Sequence, residues 1–125
     1  MFQIRFGVPE MENFWNDLKS RKNSGNLSKD EEILFKQVAK AIQFLASNPR
    51  YPSLNSHEIE PLTKKFGQKV FQSYLENNTP AAGRIFWVYG PNRKEITVLA
   101  IEPHPEDKKR GAYKRIKLSD LPDQN

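Results

Sequence analysis

Residues 84–102 read RIFWVYGPNRKEITVLAIE, two runs of β-branched, aromatic and other apolar residues separated by a short turn cluster. Such residues favour strands, and the Gly-Pro-Asn-Arg cluster is short enough to join the two runs directly. The stretch therefore predicts an antiparallel hairpin with strands at 84–89 and 95–102. A further β-forming run at 70–75 precedes the hairpin and extends the expected sheet to an antiparallel meander.

The N-terminal half of the chain has a different periodicity. Apolar and polar residues alternate over 2–6, which predicts a strand with one buried face. Apolar residues then recur at three- and four-residue steps, which predicts a helix over about 9–22. A second helix is expected to begin at the capping box of residues 28–31 and to end before Pro49. These two helices should form an antiparallel hairpin that covers one face of the sheet.

The segment between the helices and the meander carries weaker signals. Prolines predict an irregular connector over 50–55, a short edge strand is expected over 57–62, and Lys64 and Lys65 are expected in the loop that follows. The element order is β-α-α-β-β-β, to which the 57–62 segment would add one more strand. We therefore expect an α+β fold, with an N-terminal strand and a two-helix hairpin packed on a small antiparallel sheet.

The composition of the chain is that of a globular protein. It has 125 residues, 37% hydrophobic and 28% charged, which suits one hydrophobic core. We expect a single domain over 1–119 followed by a frayed tail at 120–125. No apolar run approaches the roughly 20 residues of a membrane span, and the first residues lack a secretory pattern, so a cytoplasmic location is expected.

The residues that the chain lacks exclude several kinds of catalytic site. It has no cysteine, so disulfides, thiolate nucleophiles and cysteine-based zinc sites are excluded. Its two histidines, His57 and His104, are far apart in sequence, and neither a metal-binding spacing nor a glycine-rich nucleotide loop is present. We therefore expect neither a metal nor a cofactor.

The basic charge of the chain is concentrated near its end. The formal net charge is +5, and residues 104–118 contain six cations against two anions. A surface of this kind attracts polyanions such as RNA or DNA. The alternative is a solvated basic tail that has no partner.

Arg84 and His104 are the candidate catalytic residues that the pattern singles out. Arg84 begins a predicted strand, where a planar bidentate donor is well matched to a phosphate. The alternative is an edge arginine paired with Glu76 or Glu102. His104 lies between two prolines after the last strand, which would hold an imidazole near the strand end. The alternative for His104 is a solvent-exposed loop histidine.

The remaining candidates would bind the backbone or the bases of a nucleic acid. Tyr113 lies among cations and can stack on a base. His57, in the predicted edge strand, is expected to be structural, and Lys64 and Lys65 are expected in a solvated turn. The candidate nucleic-acid-binding cations are Lys69, Lys108, Lys109, Arg110, Lys114 and Arg115.

Three runs of the chain, 69–75, 83–89 and 96–104, resemble the C-terminal half of RelE/ParE-type toxins. The predicted helix hairpin also fits this family. In the RelE branch, the resemblance implies a protein that enters the ribosomal A site. There it cuts mRNA without a metal, because the ribose 2′-OH attacks the adjacent phosphate.

The resemblance also implies roles for individual residues. Arg84 matches the phosphate-contacting arginine, His104 lies near the position of a proton carrier, and Tyr113 corresponds to a C-terminal aromatic residue. The resemblance therefore implies that these three residues are catalytic. The chain departs from the RelE pattern at Gln72 and Tyr74, where RelE carries lysines.

These observations lead to one expected function and to alternatives. We expect the toxin of a toxin–antitoxin system, a metal-independent mRNA endoribonuclease that acts on the ribosome and is neutralised by a cognate antitoxin protein. One alternative is a ParE-like inhibitor of DNA gyrase or an inactive relative that binds RNA or protein. Another is a basic scaffold protein without enzyme activity.

Overall fold

A computed structural model describes residues 1–75 and 83–102. The described part is an α+β fold, as the sequence predicts. None of its helices has both the length and the apolar character that crossing a membrane requires. Its elements are β1 (Gln3–Phe6), α1 (Pro9–Asn23), α2 (Lys29–Ser47), a 3-10 turn (Pro52–Leu54), β2 (His57–Glu58), α3 (Glu60–Phe66), β3 (Phe71–Tyr74), β4 (Arg84–Tyr89) and β5 (Glu95–Glu102).

The five strands form one sheet in the order β1-β5-β4-β3-β2. The pairs β2–β3, β3–β4 and β4–β5 are antiparallel, which confirms the predicted meander. The N-terminal strand makes the sheet a mixed one, because β1 pairs in parallel with β5, with Gln3 opposite Glu95. An alternating pattern shows which face of a strand is buried but carries no information about its partner or its direction.

Most of the segment after the connector is a helix, although its sequence predicts a strand. The strand predicted over 57–62 is wrong beyond its first two residues, since β2 ends at Glu58 and α3 begins at Glu60. Pro61 lies in the first turn of α3, where its missing N–H has no helical partner to lose. Leu62 is buried on this helix, and Gly67 ends it in the left-handed conformation, with φ 86°.

The connector and the loop predicted around it need smaller corrections. Residues 50–55 contain the 3-10 turn and are not wholly irregular. Lys64 and Lys65 lie in the last turn of α3 and not in a loop, and both are exposed. The Lys64 ammonium is 3.3 Å from the Glu60 carboxylate, one helical turn earlier.

The hydrophobic core has one part on each face of the sheet. The first part lies between the sheet and helices α1 and α2, and the second lies beneath α3. Strand β4 contributes to both, because Ile85 and Trp87 belong to the first part while Phe86 and Val88 belong to the second. The central strand is therefore covered on both faces.

The turn between α1 and α2 is held by an ion pair and a capping box. The Arg21 guanidinium donates to both carboxylate oxygens of Glu31, at 2.7 Å each. Glu31 also accepts from the Ser28 backbone N–H at 3.0 Å, while the Ser28 hydroxyl accepts from the Glu31 N–H. The Arg21 hydrogen bond, followed by the Ser28 backbone N–H, lowers the pKa of Glu31 from 4.5 to about 2.

Replacing Glu31 should make the stability of the fold less dependent on acid. A carboxylate with a lowered pKa stabilises the fold above pH 4.5 and loses that contribution as the pH falls towards about 2. We expect Glu31→Gln to lower the melting temperature at neutral pH, and the difference from the native chain to vanish near the pKa of the folded state. The measurement is thermal unfolding followed by circular dichroism across this pH range.

Glu32→Gln is the matched control, since it removes the same charge from an exposed pair in which Lys22 is 3.3 Å away. Exposed pairs of this kind contribute little to stability. A difference between Glu31→Gln and the native chain that stays constant at all pH values would contradict this account.

Candidate active site on the second face of the sheet

A buried chain of hydrogen bonds fixes the connector that leads into β2. The Trp87 indole N–H donates to the Ser73 hydroxyl at 2.8 Å, and the Ser73 and Ser56 hydroxyls are 2.6 Å apart. The Ser56 hydroxyl donates to the Pro49 carbonyl at 2.8 Å. An indole only donates and a carbonyl only accepts, so the direction of every bond in the chain is determined. The connector is thereby held against β3.

Removing the Ser73 hydroxyl should destabilise the protein. Ser73→Ala would leave the buried indole N–H of Trp87 without its acceptor, which costs about 1–3 kcal/mol. Urea unfolding measures this cost, and Ser20→Ala on the exposed surface of α1 is the control. A Ser73→Ala variant within about 0.5 kcal/mol of the native chain would show that the chain of bonds is unimportant.

Three polar side chains form a row across β2, β3 and β4 on the face of the sheet opposite α1 and α2. We call His57, Gln72 and Arg84 the polar row. The Arg84 Nη1 donates to the Gln72 Oε1 at 3.5 Å, and the Gln72 Nε2 is 3.5 Å from the His57 Nε2. The His57 Nδ1 is 3.0 Å from the Asn55 carbonyl oxygen. The row thus connects three strands and ends on the connector.

The members of the polar row differ in their access to solvent. Gln72 is 3% exposed and Arg84 is 7% exposed, whereas His57 lies on the surface. The Arg84 guanidinium also lies 5.6 Å from the centre of the Phe86 ring. The ring of the half-buried Tyr74 is 6.2 Å from that of His57. An imidazole and a phenol are therefore the groups that this part of the sheet offers to a ligand.

Arg84 lies where the sequence predicts, at the start of β4, but it is neither at an edge of the sheet nor on an open face. It is not an edge arginine, because β4 lies between β3 and β5, and its backbone is opposite Tyr74 and Glu102. Glu76, the other proposed partner, lies outside the described residues. The guanidinium is buried against Gln72 and Phe86 and does not stand on an open face.

The polar row brings together residues from separate parts of the sequence. His57, expected to be structural, is hydrogen-bonded into the same row as Arg84. Lys69 is exposed on the segment between α3 and β3 and is not part of the row. The other predicted site residues lie outside the described residues, namely His104, Lys108, Lys109, Arg110, Tyr113, Lys114 and Arg115.

A cavity of about 240 Å³ lies between α2, the 3-10 turn and the end of β3. We call it the α2 cavity. Lys36 and Lys40, one helical turn apart, line it together with Phe44, Leu54 and Tyr74. The Lys40 ammonium is 5.6 Å from the centre of the Phe44 ring. The cavity therefore combines cationic and aromatic groups, and it shares Tyr74 with the surroundings of the polar row.

The described residues bring together no group of three or more side chains that could hold a metal ion. Comparisons with family models, with curated proteins and with solved structures found no match to this chain.

Proposed function

We propose that this protein is the toxin of a toxin–antitoxin pair, a RelE-like endoribonuclease that cuts mRNA on the ribosome without a metal ion. The observation that carries the proposal is the polar row beside Tyr74, which gathers an imidazole, a guanidinium and a phenol on one face of the sheet. RNA cleavage by its own 2′-OH needs a proton acceptor and positive charge. The exposed imidazole can accept the proton, and the lysines of the α2 cavity, which Tyr74 also lines, can supply positive charge.

The charge of the chain supports a nucleic acid as the substrate. The net charge is +5, and Lys36 and Lys40 add cations to the described surface beside stacked aromatic rings. Phe44 and Tyr51 stack with their centres 4.3 Å apart, and Tyr51 is exposed. Cations next to exposed aromatic rings are suited to a single-stranded backbone and its bases. The proposal includes a cognate antitoxin that covers the basic surface, and a cytoplasmic location, where ribosomes are.

The second candidate is a relative that binds without cutting, such as a ParE-like inhibitor of DNA gyrase. Two observations favour it. Arg84 is 7% exposed, and Gln72 and Tyr74 stand where RelE carries lysines. Both reduce the positive charge that directly faces a bound phosphate. A protein of this kind would bind its target and inhibit it through contact alone.

Expression of the chain in bacteria should arrest growth, and the purified protein should cut ribosome-bound mRNA. We expect His104→Ala to lower the cleavage rate by about 100-fold or more and to relieve toxicity, because a proton carrier contributes roughly that much. A gyrase inhibitor would stay toxic after this substitution and would block DNA supercoiling in vitro. Normal growth together with intact ribosome-bound mRNA would refute the nuclease proposal.

Reversing the charge at the α2 cavity should weaken RNA binding. We expect the double variant Lys36→Glu/Lys40→Glu to bind a single-stranded RNA oligonucleotide at least about tenfold more weakly at physiological salt. A protein that neutralises fewer phosphates releases fewer counterions from the RNA when it binds. Fluorescence anisotropy measures the Kd. Lys64→Glu/Lys65→Glu on α3 is the matched control, with the same change in charge on another surface. Equal weakening by both pairs would indicate a general effect of charge and not a site at the cavity.

A further inference from the structure

We propose that His57 is the general base of the cleavage reaction, and that Gln72 and Arg84 are positioning residues that orient its ring. This inference rests on the proposed function and names a catalytic residue for it. Its basis is the direction of the hydrogen bonds in the polar row, together with the exposure of His57 at the end of that row.

The direction of each hydrogen bond follows from Arg84. A guanidinium has donors and no acceptor, so the oxygen of the Gln72 amide faces it. The amide nitrogen of Gln72 then faces the His57 Nε2 and donates to it, which requires a lone pair on Nε2. The ring proton is therefore on Nδ1, which donates to the Asn55 carbonyl at 3.0 Å.

The backbone at Asn55 supports this orientation from the other side. Asn55 has φ 47° and ψ 48°, the left-handed conformation that few residues other than glycine adopt. This conformation ends the 3-10 turn, and its carbonyl accepts from the His57 Nδ1. The connector that carries it is also tied to β3 and β4 through Ser56 and Ser73. The tautomer of His57 is thus determined from both ends of the polar row.

The ring of His57 is within reach of a substrate, and only a long contact engages its Nε2. His57 is exposed, and the contact between its Nε2 and the Gln72 amide is 3.5 Å long. That length is near the upper limit of a hydrogen bond, so a ribose hydroxyl can displace the amide after Gln72 has set the orientation of the ring in the free protein. The 3.0 Å bond from Nδ1 to the Asn55 carbonyl then keeps the ring in place. Tyr74, whose ring is 6.2 Å away, offers a surface on which a base can stack.

The reaction proceeds by transfer of the 2′-OH proton to the His57 Nε2. The 2′-oxygen then forms a bond to the adjacent phosphorus, and the bond from phosphorus to the 5′-oxygen breaks. The departing oxygen takes a proton from the proton carrier of the proposed function, and the imidazolium of His57 returns its proton to that carrier through water. The products are a 2′,3′-cyclic phosphate and a 5′-hydroxyl end, with no net consumption of water.

The decisive variant is His57→Asn, because the asparagine amide can still donate to the Asn55 carbonyl but has no group equivalent to Nε2. We expect its single-turnover cleavage of a defined mRNA on the ribosome to be about 100-fold slower or more, at unchanged melting temperature. Glu58→Gln, on the next exposed residue of β2, should cut at the native rate. An otherwise unmodified mRNA that carries 2′-deoxyribose at the nucleotide to be cleaved should stay intact with every variant.

Chemical rescue separates a base from a structural residue. Free imidazole added to His57→Ala should restore a substantial part of the lost rate, because a small base can enter the space left by the side chain. For Gln72→Met, which keeps the length of the side chain but loses both polar atoms, we expect a lower rate at saturation with a nearly unchanged KM. That split is the result expected of a positioning residue.

The outcomes distinguish this inference from the function on which it rests. A native protein that leaves ribosome-bound mRNA intact would overturn both. A native protein that cuts, while His57→Asn cuts within about threefold of its rate, would overturn the role of His57 and leave the nuclease function standing. Loss of cleavage in His57→Ala that imidazole does not restore would also overturn it, whereas loss followed by rescue supports it.

Discussion

A buried guanidinium can only donate hydrogen bonds, and the arrangement of the second face of the sheet depends on this constraint. Arg84, at the start of strand β4, is buried, with 7% of its surface exposed. A buried charge must be hydrogen-bonded. Gln72 meets this need with its oxygen, which leaves its nitrogen facing His57. One requirement of burial thereby sets the orientation of an exposed imidazole.

The short strand β2 depends on two chains of hydrogen bonds that run on opposite faces of the sheet. It has two residues and two pairing positions on β3, so its pairing with β3 alone contributes little to holding it in place. Ser73 and Gln72 are neighbours on β3 and therefore point to opposite faces. The chain through Ser73 ends on the Pro49 carbonyl, and the row through Gln72 ends on the Asn55 carbonyl. Both ends of the connector before β2 are held in this way.

Much of the fold could be predicted from the sequence, because periodicity and capping are local signals. The hairpin of β4 and β5 and the start of α2 at Ser28 agree with prediction. The parallel pairing of β1 with β5 could not be predicted, since it joins residues 3–6 to residues 95–98, which are distant in sequence. Helix α3 had a local signal in Pro61 and the apolar spacing of Leu62 and Phe66, but the strand-like residues around it obscured that signal.

The candidate site was harder to predict because its residues are brought together by register. Nothing local indicates that His57 lies opposite Gln72, or that Gln72 reaches Arg84 on the next strand. The charged stretch of residues 104–118 is a strong local signal near the end of the chain. The residues of the polar row lie within the sheet and carry no comparable signal. The place of Arg84 at the start of a strand is predictable, but nothing local in the sequence indicates that its side chain is buried.

The most direct test of the proposed role of His57 is to determine which tautomer its ring adopts in the native protein. Long-range proton–nitrogen NMR spectra of the imidazole distinguish the two ring nitrogens, and the His57→Asn variant assigns the signals. For the neutral ring, the hydrogen bonds of the polar row predict a proton on Nδ1 and a lone pair on Nε2. A proton on Nε2 would contradict this prediction. The Gln72 amide nitrogen and the Asn55 carbonyl would then face ring nitrogens to which they cannot hydrogen-bond.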